Sequence, residues 1–146
     1  MAALSDYLEN KLIDWLLRGQ TFTAPATAYV ALLTAAPSDT GGGTEVTGGS
    51  YARVAVSSSL ANWAGTQGAG TSVASSGTSG TTSNNGTIVF PAPTANWGVV
   101  THFGVYDAAS AGNLLFYGAL SVSKTINNGD AAPQFNAAAL SFQIDN

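Results

Sequence analysis

The stretch Trp97–Leu120, WGVVTHFGVYDAASAGNLLFYGAL, constrains the fold more than any other part of the chain. Two runs rich in aromatic and β-branched residues, Val99–Tyr106 and Leu114–Leu120, flank the polar segment Asp107–Asn113. Apolar runs of this length bounded by Gly, Asn and Asp form antiparallel strands joined by a tight loop. Alternation puts Val99, Thr101, Phe103 and Val105 on one face, and Val100, His102, Gly104 and Tyr106 on the other. Both faces carry apolar groups, so the hairpin is expected in the middle of a sandwich and not at its edge.

The remaining chain supplies partners for it. Leu4–Arg18 has the pattern of a helix: Ser5 can cap it, Asp6 and Glu9 suit its positive end, and Gly19 can stop it. Leu8, Leu12, Trp15 and Leu16 form one apolar stripe, widened by Leu4 and Ile13, with Asp14 and Arg18 four residues apart on the flank. That stripe either caps an open end of the sandwich or packs against a neighbouring subunit. Thr27–Thr34 is apolar on both faces and reads as a buried strand, Ala35–Gly49 as a long glycine-rich loop, and Tyr51–Ser57 as the next strand. Gly65–Thr87 holds one large apolar residue, Val73, and is expected to be mobile or ordered by a partner. A short strand at Thr87–Phe90, a turn at Asn127-Asn-Gly129 and a last strand over Ala137–Ile144 complete the pattern. The fold class is mainly β: one domain over 1–146, an antiparallel, jelly-roll-like β-sandwich over 27–144 with a helix over 4–18.

Composition narrows the function. Charged residues make up 8% of the chain, far below the roughly 25% of ordinary domains, and none lies between Arg53 and Asp107. Such a surface stays soluble through Ser, Thr, Asn and Gly, or is covered by partners. The four basic residues, Lys11, Arg18, Arg53 and Lys124, are scattered in a chain of net charge −4, which argues against nucleic acid. The absence of cysteine excludes disulfides and thiolate chemistry. Asp6, Glu9 and Asp14 interrupt what would be a leader's apolar region, and no apolar run approaches the roughly 20 residues of a membrane span.

No catalytic constellation emerges. His102 is the only histidine, so a multi-histidine metal site is excluded; Asp107 has the opposite strand parity and points to the other face. The nearest approach to a nucleophile elbow, Ala108-Ala-Ser110-Ala-Gly112, lacks its first glycine. The glycine clusters at 41–43 and 65–70 have neither Rossmann nor P-loop spacing. Asp39, Glu45, Asp107 and Asp130 could offer oxygen ligands to calcium, although turns attract aspartate for local hydrogen bonds anyway. Glu45 and Arg53 flank the Gly48-Gly49 turn and are expected to form a partly buried pair that fixes loop geometry. Trp63, Trp97, Tyr51, Tyr106 and Tyr117 could stack sugar rings, or form core.

Three blocks, LSDYLENKLIDWLLRG at 4–19, ALLTAAPSDTGGGTEVTGGSYARVAV at 31–56 and WGVVTHFGVYDAASAGNLLFYGAL at 97–120, with NNGD at 127–130, give the chain its family character. In these blocks it resembles the short phage tail fibre proteins of tailed phages and prophages. The resemblance implies a structural virion protein without catalytic residues, cofactor or metal, placed on the tail and involved in assembly and host adsorption. The expected partners are further copies of itself, as a homotrimer by analogy, and other virion proteins, with Leu8, Leu12, Trp15 and Leu16 as the assembly interface. Two alternatives use the same sandwich: a capsid decoration protein, and a carbohydrate-binding module that takes a host surface glycan. The latter requires Trp63 or Trp97 to be exposed to solvent.

Overall fold

The computed structural model describes residues 2–144; Met1, Asp145 and Asn146, the ends of the expected 1–146 domain, lie outside the described residues. Ten strands and one helix follow among the described residues: β1 Ala3–Leu4, α1 Asp6–Leu17, β2 Thr27–Ala35, β3 Thr44–Glu45, β4 Val54–Ser57, β5 Thr81–Ser83, β6 Ile88–Val89, β7 Gly98–Tyr106, β8 Leu114–Ile126, β9 Gln134–Phe135 and β10 Ser141–Gln143. β8, β7 and β2 run antiparallel through the middle of a six-stranded sheet. β1 pairs with the outer edge of β8, while the outer edge of β2 is shared by β4 over Thr27–Val30 and by β3 over Leu33–Ala35. Two short antiparallel ladders, β5 with β10 and β6 with β9, supply further strands. The architecture is mainly β, antiparallel and sandwich-like, with its single helix near the N-terminus. Its second layer consists of these separate ladders where a jelly roll would carry a continuous sheet.

Aromatic side chains join the layers. Phe103 of β7 meets Phe135 of β9 at 6.2 Å and Phe142 of β10 at 6.0 Å between ring centroids, both edge to face. Phe116 of β8 meets the same Phe142 at 5.0 Å, and Phe90 meets Phe135 at 6.1 Å. Val30, Leu32, Val100, Val105 and Ile126 complete one hydrophobic cluster with them. Each large side chain buried there contributes roughly 1.5–3 kcal/mol, and a well-placed aromatic pair roughly 0.5–1.5 kcal/mol more. β2 is buried on both faces, as its apolar run requires: Val30 and Leu32 face the aromatic cluster, and Ala31 and Leu33 are fully covered on the opposite side.

The central hairpin sits where its composition demands, but its alternation breaks once. Between the pairs Val100–Lys124 and His102–Ala119, β7 advances two residues and β8 five. The irregularity places Val100 on the core side with Phe103 and Val105, at 1% exposure, while Val99 stands 48% exposed. Strict alternation had assigned those two valines the other way round. Beyond this bulge β8 rejoins the ladder and continues to Ile126, six residues past the end its apolar run suggests.

Several elements depend on context and not on propensity. Leu4, expected as the first helical residue, lies in β1, because Ser5 has the extended backbone of a helix cap and its N–H binds the Leu115 carbonyl at 3.0 Å. Gly65–Thr87 leaves Val73 59% exposed and is held by polar bonds: Gln67 Nε2 donates to the Ala74 carbonyl at 2.6 Å, the Gly77 N–H donates to Thr66 Oγ1 at 2.9 Å, and Asn85 Nδ2 donates to the Thr71 carbonyl at 2.9 Å. Asn84 is 1% exposed and spends every polar atom: its amide donates to the Gly86 and Asn136 carbonyls, and its oxygen accepts from the Leu140 N–H. This one side chain fastens the approach to β10 onto β5. No helix among the described residues is long and apolar enough to cross a membrane.

Phe103→Ala removes the ring shared by both ladders and is expected to cost about 3–5 kcal/mol in urea denaturation. Val122→Ala, at a position 77% exposed on the bulge, is expected to change stability by less than about 0.5 kcal/mol.

Candidate functional site

Arg53 makes four side-chain hydrogen bonds among the described residues. Its Nε donates to Glu45 Oε1 at 2.9 Å and its Nη2 to Glu45 Oε2 at 2.8 Å, a two-pronged match between planar guanidinium and carboxylate. Its Nη1 donates to the carbonyls of Ala108 and Ala111, both at 2.8 Å, in the loop between β7 and β8. The guanidinium lies 3.7 Å from the centroid of the Tyr106 ring. Tyr51 completes the cluster: its hydroxyl donates to Glu45 Oε1 at 2.9 Å and accepts the Leu32 N–H at 2.9 Å. Side-chain exposure is 6% for Arg53 and 24% for Glu45.

Local sequence explains how these groups meet. Tyr51 and Arg53 are two residues apart, and Tyr51 packs on the core, its ring centroid 6.3 Å from that of Phe90 and 5.3 Å from that of Trp97. Glu45 arrives through β3, which the glycine-rich loop folds back onto β2. Gly49 has a left-handed φ of 55°, and a side chain there would collide with the Trp97 indole, whose Nε1 donates to the Gly49 carbonyl at 3.0 Å. In the acceptor loop Gly112 has φ 74°, and a Cβ would approach Asp107 Oδ1 to 2.6 Å. Asp107 in turn accepts the Asn113 N–H and side-chain amide, each at 2.7 Å. The sequence pointed to Glu45 and Arg53. Tyr51, Tyr106 and the Ala108 and Ala111 carbonyls carried no pairing signal, because backbone acceptors have no residue-type signature.

Electrostatics follow from burial. Burial pushes the Tyr51 hydroxyl far above its ordinary range, and the Glu45 carboxylate pushes in the same direction. Burial raises Tyr106 as well, partly offset by Arg53. For Arg53 burial opposes the charge, but the Glu45 hydrogen bonds outweigh it and the guanidinium is held above its ordinary value. In this clamp the Arg53 and Glu45 charges and the Tyr51 hydroxyl are all hydrogen-bonded to one another or to the backbone.

The second feature is the helix. Ser5 caps it by accepting the Leu8 N–H at 3.3 Å, and its hydroxyl donates to the Leu114 carbonyl. The Asp6 N–H binds the Asp39 carbonyl at 2.9 Å, and the Tyr117 hydroxyl donates to the Asp39 carboxylate. Asp14 and Arg18 pair at 2.8 Å near its end. Of the expected stripe, Leu8 is buried and Leu12 half-buried, whereas Trp15 and Leu16 are 53% and 65% exposed. Ile13 and Leu17, at 51% and 82%, stand beside them. Next to this ridge an apolar groove of about 290 Å³ is lined by Leu8, Leu12, Phe22, Pro25, Trp63, Phe142 and Ile144 among others.

The other candidates are structural. Thr101 Oγ1 lies 2.8 Å from His102 Nδ1. The four carboxylates weighed for calcium are each engaged: Glu45 by Arg53 and Tyr51, Asp39 by Tyr117, Asp107 by Asn113, and Asp130 by the Asn127 N–H at 2.7 Å. No group of three His, Asp or Glu converges among the described residues. Trp97 is buried and offers no face to a sugar; Trp63 is half-buried, edge-on to Phe142 at 5.8 Å.

Two outcomes test the clamp. Arg53→Ala strands the Glu45 carboxylate and two loop carbonyls, with an expected cost of about 3 kcal/mol in urea denaturation. Above about pH 10 tyrosines of the unfolded chain lose protons that folded Tyr51 retains, so stability is expected to fall as pH rises from there. Tyr51→Phe should flatten that decline in a denaturation series across alkaline pH.

No curated protein matches the chain. One protein family does, described as podophage GP4 fiber I protein gp80, and the match runs over residues 3–143. It takes in the helix, the clamp and the central hairpin together. A match over nearly the whole length means that this chain belongs to the Gp80 family of podophage fibre proteins.

Proposed function

We propose that the protein is a structural, non-catalytic component of the phage tail, that it assembles with copies of itself and with other virion proteins, and that its helix end is the assembly side. Membership of a fibre family supports the structural role and a place in the virion. The observation that carries the assembly reading is the exposed ridge of Ile13, Trp15, Leu16 and Leu17 on a chain that has few charges with which to keep such a surface in water. Ile13 neighbours Leu16 and Leu17 at three- and four-residue spacing, with Trp15 on the flank, and clustered exposed apolar side chains of this kind mark an interaction site. Leu8 and Leu12 anchor the helix to its own body, so that Trp15 and Leu16 project as part of a rigid element. A trimer is the proposed state, and contact with the host surface falls to the uncharged loops of the β-body.

Quantitative mass spectrometry of purified virions, referenced to the major capsid protein, tests this. A handful to a few dozen copies per particle is expected for the tail. Hundreds of copies would move the chain to the capsid shell as a decoration protein, and its absence from the particle would overturn both.

A further inference from the structure

The ridge and the groove lie along one helix stripe, and each lacks what the other offers. Leu8 and Leu12 line the groove, and three- and four-residue steps carry the same stripe outward to Trp15 and Leu16. No residue lining the groove carries a charge. A charged or strongly polar occupant would lose its hydration there with nothing to replace it, so the occupant is an apolar knob. The ridge is such a knob. With Ile144, 66% exposed at the groove, its side chains present on the order of 600 Å² of apolar surface, close to the ~800 Å² per partner of a standard interface.

Charge does not oppose a pairing of like with like. Asp14 and Arg18 neutralise each other at 2.8 Å, and Glu9 and Lys11, one turn before Ile13 and Trp15, are of opposite sign, so the net charge of −4 is not concentrated where two copies would meet.

We propose, building on the fibre-component reading, that the groove is filled by a second copy of this chain, with Trp15 of one copy seated in the groove of the next. Repeated head to tail, this contact closes the proposed trimer into a ring. Trp15 is the anchor because it is the largest exposed side chain and sits on a helix fixed by its cap.

The test is light scattering on the purified full-length chain over a dilution series, with two variants. Trp15→Glu places a charge on the ridge, and Ala24→Arg places one at the exposed lip of the groove. The wild-type chain is expected to associate, and each variant is expected to lose association while keeping the wild-type circular dichroism spectrum. Mixing the two variants should restore a pair, because one intact ridge then meets one intact groove. A wild-type chain that stays monomeric throughout would overturn the proposal, as would variants that associate like wild type. A monomeric chain that is nevertheless found in virions would leave the fibre reading standing and assign the groove to a different virion protein.

Discussion

One guanidinium closes this fold. Arg53 joins three segments that share no continuous ladder at that point: β3 through Glu45, the run into β4 through its own backbone, and the β7–β8 loop through Ala108 and Ala111. Tyr51 extends the clamp to the backbone of β2 at Leu32. At 6% exposure the charge is unaffordable alone, but here each formal charge meets its opposite with matched geometry. The clamp adds little net stability over a well-packed apolar substitute. It fixes register and loop conformation in a chain whose loops are otherwise glycine, serine and threonine.

Low charge density shapes everything else. With few charges on its surface, the protein holds its long uncharged segment through side-chain-to-backbone hydrogen bonds, and it uses Asn84 as a buried three-way fastener. Aromatic contacts through Phe103 and Phe142 then hold the ladders on the main sheet. The end of the helix gathers four exposed large apolar side chains, Ile13, Trp15, Leu16 and Leu17, into five residues. The proposed assembly role would use such a division: a body packed by its own residues, and one rigid surface left for a partner.

The sequence disclosed what periodicity and residue type encode. The central hairpin, the buried β2, the Ser5 cap and the Glu45–Arg53 pair could all be read from spacing and polarity. The short strands β3, β5 and β9 could not, because two or three residues carry no period and are placed by their neighbours. The swap of Val99 and Val100 was hidden for a related reason: the extra residues that break the ladder lie in β8, in a Ser-Val-Ser stretch that reads as connector. At the site, a helical wheel puts Trp15 and Leu16 in one stripe with Leu8 and Leu12 and leaves open whether that stripe meets its own body or a neighbour. Which part of the stripe its own body covers, Leu8 buried but Trp15 and Leu16 exposed, is a tertiary property.

The claim that matters most is that the helix end is covered by protein when the chain is at work. Electron cryomicroscopy of intact virions at side-chain detail tests it most directly. The account predicts this chain on the tail, with Trp15 and Leu16 packed against another polypeptide. Density for the chain with that ridge facing solvent would contradict it.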